Sequence, residues 1–337
     1  MIVIHRTETT PLSLSRRTVL DNDTPEPTCP QSMPPAFQYD VVILTDSRYT
    51  SDIAVDAYTG NILLEEGLVR AALESHGLRA QRVAWSDETF DWSRTRSVLF
   101  RSTWDYFDRF GEFVDWLDRT SRVTRPFNSP DLVRWNWDKH YLLDLERMGV
   151  RIPPTVFLDG ECSQSLPELV RKTGWPQVIL KPTVSGAARH TYLLNHENAA
   201  AHHNLWKSLQ AQESMLLQCF QDRVLSEGEL SLVVIGGRYT HAVRKVAQPG
   251  DFRVQDDHGG TVYPHTASDL EIAFAEQCVA ACPTPPIYAR VDAVRNDTGQ
   301  LVLMELELIE PELFFRFHPP AAGDLADRIA IILRGAN

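Results

Sequence analysis

Apolar positions change their period several times along this chain, and each change marks an element. Val41-Val42-Ile43-Leu44 is an unbroken apolar run that ends in polar Thr45-Asp46-Ser47-Arg48, the pattern of a strand buried on both faces. From Asn61 to His76 the residues Ile62, Leu63, Leu64, Leu68, Val69 and Leu73 recur at helical spacing, and Gly77 supplies the stop. Arg82–Trp85 and Val98–Phe100 predict two more short strands, followed by a helix over about 108–118. This order predicts an open α/β sheet, in which ligands gather at the carboxyl ends of strands. Asp46-Ser47-Arg48-Tyr49 and Arg101-Ser102-Thr103-Trp104-Asp105-Tyr106 lie at such ends.

Asn128-Ser129-Pro130-Asp131 is a turn and a helix start, and a first boundary falls there. A helix over 138–148 follows, then a strand after Pro153-Pro154-Thr155, a helix over 166–172 and the strand Val178–Pro182. A small-residue loop, Thr183–Arg189, leads to a strand at 191–194 and a helix at 197–211. From Met215 strands dominate, at 215–219, 229–235, 239–246, 287–294 and 301–308, with helices at 268–281 and 322–333. The pattern predicts α/β followed by α+β, with an antiparallel sheet covered by helices on one face. The expected division is a disordered extension over 1–36, an open α/β domain over 37–130, a small subdomain over 131–212 and a large one over 213–337. Prolines 25, 27, 30, 34 and 35 among polar residues argue against periodic structure in the extension.

Composition narrows the function. No apolar run approaches the roughly 18 residues of a membrane helix, and no signal peptide is visible, so the expectation is a cytoplasmic chain without a membrane partner. A net charge of −12 argues against nucleic acid as a partner. Five cysteines without a C-x-x-C pair argue against a disulfide framework or a zinc site. The 33 basic residues comprise 28 arginines and 5 lysines, so arginine serves for generic surface charge, and each lysine becomes a better candidate for holding phosphate. A homodimer is compatible with the sequence but not specified by it.

The common nucleotide-loop, dinucleotide, nucleophile-elbow and zinc-peptidase motifs are missing. Chemistry therefore rests on dispersed charges. Arg290-Val291-Asp292 and Glu305-Leu306-Glu307 lie on strands joined by the turn Asn296-Asp297-Thr298-Gly299, so a hairpin brings Arg290, Asp292, Glu305 and Glu307 toward one face. Hard oxygen donors so placed suit Mg²⁺ or Mn²⁺ beside phosphate oxygens; ordinary charge alternation on a solvated face is the alternative. Lys181 closes an apolar strand ahead of Ser185-Gly186, and a lysine there is costly to bury without an anion. Lys139 begins the helix before it. Two ammonium groups, a backbone loop and an acidic hairpin together suggest a nucleoside triphosphate.

In their order, Trp137-Asp138-Lys139, Lys181-Pro182, the loop, Leu217-Gln218-Cys219-Phe220, Glu229, Arg290-x-Asp292 and Glu305-x-Glu307 resemble the ATP-grasp superfamily over about residues 130–315. That superfamily includes D-alanine–D-alanine ligase, glutathione synthetase and the ribosomal-protein glutamate ligases. Arg101–Tyr106 and Arg134–Lys139 look most like the subgroup of the cyclo-ligase of D-cycloserine biosynthesis, the O-ureidoserine cyclo-ligase. The resemblance implies an ATP-grasp fold behind an N-terminal α/β domain. It implies that Lys139 and Lys181 contact ATP phosphates and that Ser185 and Gly186 belong to a lid. Gln218, Cys219 and Phe220 meet adenine, and Glu229, or alternatively Glu227, holds ribose. Asp292, Glu305 and Glu307 bind Mg²⁺, and Arg290 steadies a tetrahedral intermediate. Relatives commonly carry E-x-N where this chain has Glu305-x-Glu307, which adds a negative charge, and the lid is poor in glycine.

The implied activity is an ADP-forming carbon–nitrogen ligase acting on a small amino-acid-like carboxylate, with ring closure as one form. A small-molecule kinase on the same scaffold and a non-catalytic nucleotide-binding regulator are the alternatives. For the substrate, Arg101, Asp105 and Tyr106 are candidates to hold a carboxylate and an ammonium. Arg244, Lys245 and Arg253 are candidates for phosphate or carboxylate, with Arg253 favoured for its place before the Asp257–Gly260 segment. Glu310-Pro311-Glu312 either lines the acceptor pocket or only ends its strand.

Overall fold

The computed structural model describes residues 37–160, 162–186, 188–254 and 259–335. The expected extension over 1–36, Ala187 of the loop and Asp257-His258 lie outside the described residues.

The first region runs β1 (Val41–Thr45), α1 (Ala57–Ser75), β2 (Ala80–Ala84), β3 (Ser97–Ser102), α2 (Phe110–Thr120) and β4 (Arg125–Phe127). Its strands form one parallel sheet in the order β2-β1-β3-β4. Because side chains alternate, Val41 and Ile43 of β1 pack toward α1, while Val42 and Leu44 pack with Trp85, Phe113 and Trp116 on the α2 side. That two-sided burial is why β1 reads as a continuous apolar run. Helix α1 begins four residues before its apolar periodicity, since Asp56 caps the Thr59 amide and Thr59 returns a bond to the Asp56 backbone.

Two short helices, α3 (Pro130–Asn136) and α4 (Tyr141–Arg147), lead out of this region. Lys139 sits in the turn ahead of α4, not within its first helical turn, and its amide donates to Thr183 O. Next come β5 (Thr155–Leu158), α5 (Leu166–Thr173), β6 (Val178–Pro182), β7 (Tyr192–Leu194), α6 (His203–Gln210) and β8 (Met215–Cys219). They make a small antiparallel sheet ordered β5-β8-β6-β7, sealed by Leu166, Val170 and Trp206. The helix expected over 197–211 is shorter, because Asn195 and Asn198 side chains bond nearby backbone amides and favour turns over 195–202. β8 pairs inside this sheet, one strand beyond the expected break at 212/213.

The remainder comprises α7 (Val224–Glu227), β9 (Glu229–Ile235), β10 (Arg238–Val246), β11 (Thr261–His265), α8 (Asp269–Ala280), β12 (Tyr288–Arg295), β13 (Leu301–Glu307) and α9 (Pro320–Arg334). Five antiparallel strands are ordered β11-β10-β9-β12-β13, and α4 and α8 cover one face through Leu142, Leu145, Phe274 and Cys278. Strands β4 and β11 carry Pro126 and Pro264 and little apolar alternation, so the sequence pattern does not signal them. The last helix, α9, returns to the first region: Leu325, Ile329 and Leu333 join Val41, Ile43, Val69 and Leu99 in one core with Val233 and Tyr288.

One buried amide ties the first region to the large sheet. Asn128 accepts from the Ile287 amide at 2.6 Å and donates to Tyr288 O at 3.1 Å and Leu308 O at 2.8 Å. Removing it leaves three buried backbone groups unpaired. Asn128→Ala is expected to lower unfolding free energy by about 2 kcal/mol or more, read as a reduced midpoint in urea. A change below about 0.5 kcal/mol would mean that those groups find other partners.

Candidate active site

Strand alternation carries charge to the face of the large sheet that α4 and α8 leave uncovered. On β12, Val291 and Ala293 enter the core, so Arg290 and Asp292 point the other way; on β13, Leu306 enters the core and Glu305 and Glu307 do not. The register places Arg290 opposite Glu307 and Asp292 opposite Glu305. All four line a cavity of about 280 Å³, together with Lys139, Lys181, Ser185, Gly186, Gln218, Phe220, Glu229 and Arg253. The two ammonium groups and the acidic hairpin expected from sequence therefore share one crevice.

Within it each strand acid meets a fixed cation. Lys139 Nζ lies 3.1 Å from Glu305 and donates to Ser185 O at 2.7 Å. Asp292 accepts from Arg290 Nη2 at 2.9 Å, Lys245 Nζ at 2.9 Å and Ser231 Oγ at 2.7 Å. Arg290 also binds Glu307. Burial alone would raise the Asp292 pKa, but Arg290 and Lys245 outweigh it and hold the carboxyl well below its ordinary range. Glu305 shows the same contest, with Lys139 and Lys181 overcoming burial and lowering it. Glu307 goes the other way: burial outweighs Arg290, and it is pushed up to about 7. Lys181 has no hydrogen-bond or ion-pair partner among the described residues, and burial, with Lys139 adding to it, brings it down to about 8 against the pull of Glu305.

These are hard oxygen donors of the kind Mg²⁺ takes, and they stand at facing register positions. They do not converge as they stand. Among the described residues no three Asp, Glu, His or Cys side chains gather around one point, because Lys245 and Arg290 already occupy the oxygens of Asp292. The donor chemistry fits a divalent ion; the present arrangement is one of carboxylates held apart by internal cations. For a nucleotide the fit rests on other atoms. The unpartnered Lys181 ammonium faces the cavity, and so does Gln218, whose Oε1 is buried without a partner while its Nε2 donates to Thr155.

The loop after β6 is shaped against the first region. A Cβ built on Gly186 would stand 2.6 Å from the Phe107 ring, so any other residue here would require that ring to shift. Arg189 bonds Glu213 at 2.9 Å and reaches Asp108 at 3.6 Å. Ala188 and His190 hold left-handed backbone conformations, at φ of 53° and 49°. The loop thus makes its turn with little glycine.

Several expected residues lie elsewhere. Cys219 does not line the cavity; its amide donates to Pro154 O and its carbonyl accepts from Gln221, so both groups are already spent. Glu227 is paired with Arg223 away from the cavity, whereas Glu229 faces it and lies 2.6 Å from Lys245. Arg244 is exposed on the opposite side of β10 and stacks over Tyr263, because its neighbour Lys245 takes the inward position. Lys245, weighed against Arg253 and Arg244 from sequence and set behind them, is the residue at the centre: burial lowers its pKa, but Asp292 and Glu229 outweigh that and raise it. The alternation of His241, Val243 and Lys245 was the available signal. Arg253 does line the cavity and is 2.7 Å from Asp251.

In the first region Tyr106 lines the cavity and Asp105 does not. Asp105 accepts from Trp85 Nε1 at 2.6 Å and Arg109 Nη1 at 3.1 Å, a fastening of α2 to the sheet. Arg101 is 2% exposed and donates to Pro311 O. Its Nε and Nη1 have no protein partner and border a separate space of about 20 Å³, enough for one water. Arg101 thus anchors backbone and is not placed on a substrate in the main cavity. Residues that sequence reasoning missed are Tyr58, Phe107, Phe252 and Phe314, aromatic walls with no motif of their own, while Trp104 belongs to the Arg101–Tyr106 motif.

The chain is similar to known proteins over most of its length. Residues 41–128 match the family described as "D-cycloserine synthetase DcsG, N-terminal domain", and residues 145–309 match "RimK-like ATP-grasp domain". The cycloserine biosynthesis protein DcsG of Streptomyces lavendulae is 31% identical over 277 residues, covering 77% of this chain and 90% of that protein. A probable alpha-L-glutamate ligase of Aeromonas salmonicida is 26% identical over 53% of this chain and 59% of its own length. Among solved structures, D-cycloserine synthetase DcsG superposes with a TM-score of 0.75 at 28% identity, over 87% of this chain and 99% of that one. D-alanine–D-alanine ligase of Bacillus anthracis, at 13% identity and a TM-score of 0.61, covers 89% of this chain and 100% of its own and shares the fold. Among the described residues no helix is long and apolar enough to cross a membrane.

The position of Lys181 yields a pH test. With its free ammonium down at about 8, raising the pH above 8 discharges it, and phosphate binding must then draw a proton back. ATP affinity is therefore expected to weaken above pH 8 toward about tenfold per unit. Calorimetry in buffers of different ionisation enthalpy should show proton uptake at pH 8.5–9. Flat affinity to pH 9.5, or proton release, would contradict the assignment.

Proposed function

Because the chain belongs to the ATP-grasp ligases, in the group of D-cycloserine synthetase, we propose that it activates the carboxylate of a small amino-acid-derived substrate for attack by a nitrogen of the same molecule, closing a ring. The reaction class is ADP-forming carbon–nitrogen ligation. The observation that carries the reading is the shared crevice of Lys139, Lys181, Asp292 and Glu305.

ATP supplies the phosphoryl group that turns a poor acyl donor into an acyl phosphate, and Mg²⁺ screens the charge of triphosphate and carboxylate. The protein's own groups do the rest. Lys139 and Lys181 present two ammonium charges to the phosphates, with Ser185 and Gly186 as the loop above them. Gln218 and Phe220 face the base, and Glu229 the ribose. Asp292, Glu305 and Glu307 would hold the divalent ion, and Lys245 and Arg290 balance those carboxylates until it arrives. Arg290, beside the acidic face, is placed to stabilise the oxyanion formed when nitrogen attacks, and Arg253 to hold a phosphate or carboxylate oxygen. The aromatic walls and the Phe107–Gly186 contact keep water from the activated acyl group.

Ring closure in place of transfer to a second molecule is supported by the likeness over both regions to a protein of cycloserine biosynthesis. The test is turnover of ¹⁸O-carboxylate substrate with ATP, using O-ureidoserine in both enantiomers and a panel of amino acids. One ADP and one phosphate per new ring, with one ¹⁸O carried into phosphate, are expected. ADP without ¹⁸O-phosphate, or a stable phosphorylated product, would remove the ligase reading in favour of a hydrolase or kinase. Asp292→Asn and Glu305→Gln should each lower kcat by about 100-fold or more; activity within twofold of wild type in both would remove the metal assignment.

A further inference from the structure

The acids of the cavity are matched to internal cations with one exception. Glu305 has Lys139, Glu229 has Lys245, Asp292 has Lys245 and Arg290, Glu307 has Arg290 and Glu312 has Arg316. Glu310 lines the same cavity, and among the described residues no ammonium or guanidinium lies within ion-pair distance of its carboxyl. Burial and the nearby Glu307 and Glu305 carboxylates raise its pKa well above the ordinary carboxylate range, against a smaller opposing pull from Lys139. Tyr58 and Trp104 line the cavity beside Glu310 with ring centroids 5.7 Å apart, and Tyr49 packs against both at 6.4 and 6.0 Å. The segment is held in place from the first region, with Trp104 Nε1 donating to Glu310 O at 2.9 Å and Arg101 donating to Pro311 O.

We propose that Glu310, with the faces of Tyr58 and Trp104, is the subsite that takes the substrate's ammonium group. A carboxyl enclosed by protein without a counter-charge favours its neutral form, and a ligand ammonium draws it into the ionised form where a neutral group does not. Aromatic faces add attraction for an ammonium and none for a hydroxyl or a hydrogen in its place. Fixing the ammonium beside strand β13 leaves the substrate's carboxylate to face the lysines, which orients an amino acid for activation at the correct end. It also explains a division of labour. The Arg101–Tyr106 stretch acts on the substrate by clamping the backbone of Glu310 and Pro311, with Trp104 and Tyr106 as its direct walls.

This inference rests on the ligase reading for the identity of the substrate, and the experiment separates the two. Binding of O-ureidoserine, in both enantiomers, and of its deaminated analogue 3-(ureidooxy)propanoate is measured by calorimetry on the full chain with Mg²⁺ and ADP, for wild type and Glu310→Gln. Wild type should bind one enantiomer of the amino form about 10- to 100-fold more tightly than the deaminated form. Glu310→Gln should lose that preference while keeping its affinity for ADP and its Mg²⁺ dependence within about twofold. Equal affinity for the two probes in wild type, absence of binding by either, or a preference that survives in Glu310→Gln would overturn the subsite. So would a variant whose main change is in Mg²⁺ dependence. A preference for the amino form without phosphate release on adding ATP would keep the subsite and remove the ligase reading. Release of phosphate with both probes alike would do the reverse.

Discussion

The cavity depends on charge neutrality kept by ion pairs inside the protein. Asp292, Glu305 and Glu307 project from two neighbouring strands into one cavity, and bare carboxylates so placed would repel one another and shift toward the neutral acid. Lys139, Lys245 and Arg290 prevent that: Asp292 and Glu305 stay below their ordinary pKa values, and only Glu307 drifts to about 7. A polyanion with its divalent ions brings both signs of charge at once. It can take over the internal cations and release the internal acids without leaving net charge buried.

The fold makes this possible by dividing two jobs along each strand. On β12 and β13 one set of alternate residues builds the core with α4 and α8, and the other set builds the site, so core and chemistry share a backbone and neither can slip by one residue without destroying the other. The small sheet brings Lys181 and Gln218 from across the cavity, and the first region closes the remaining side with Tyr58, Trp104, Tyr106 and Phe107. Asn128 and α9 fasten that first region to the large sheet, which gives the aromatic side of the cavity a fixed position.

Much of this was legible from residue order. Period-two alternation located Arg290, Asp292, Glu305 and Glu307 on one face, and the scarcity of lysine singled out Lys139 and Lys181. The same alternation separates Lys245 from Arg244; proximity in sequence made them look interchangeable, and only strand pairing shows which one turns inward. Glu227 and Glu229 differ for the same reason, one lying in α7 and the other opening β9. Arg101 and Asp105 carry charges that suit a ligand as well as a buried fastening, and no local pattern distinguishes those uses. The return of α9 to the first sheet depends on contacts some 250 residues apart in the chain, which neither propensity nor periodicity encodes. Of the aromatic walls, Trp104 and Tyr106 fall in the Arg101–Tyr106 motif, whereas Tyr58 and Phe107 left no trace, since an aromatic residue in a cavity and one in a core have the same neighbours in sequence.

The central claim is that Lys139, Lys181 and the β12–β13 acids clasp one triphosphate and its divalent ions. A crystal structure of the protein grown with Mn²⁺ and a non-hydrolysable ATP analogue, recorded at the manganese absorption edge, addresses it directly. The account predicts an anomalous peak bonded to oxygens of Glu305 and at least one of Asp292 and Glu307, with phosphate oxygens within hydrogen-bonding distance of both lysines. Manganese bound away from the hairpin, or phosphates that leave either ammonium without contact, would contradict it.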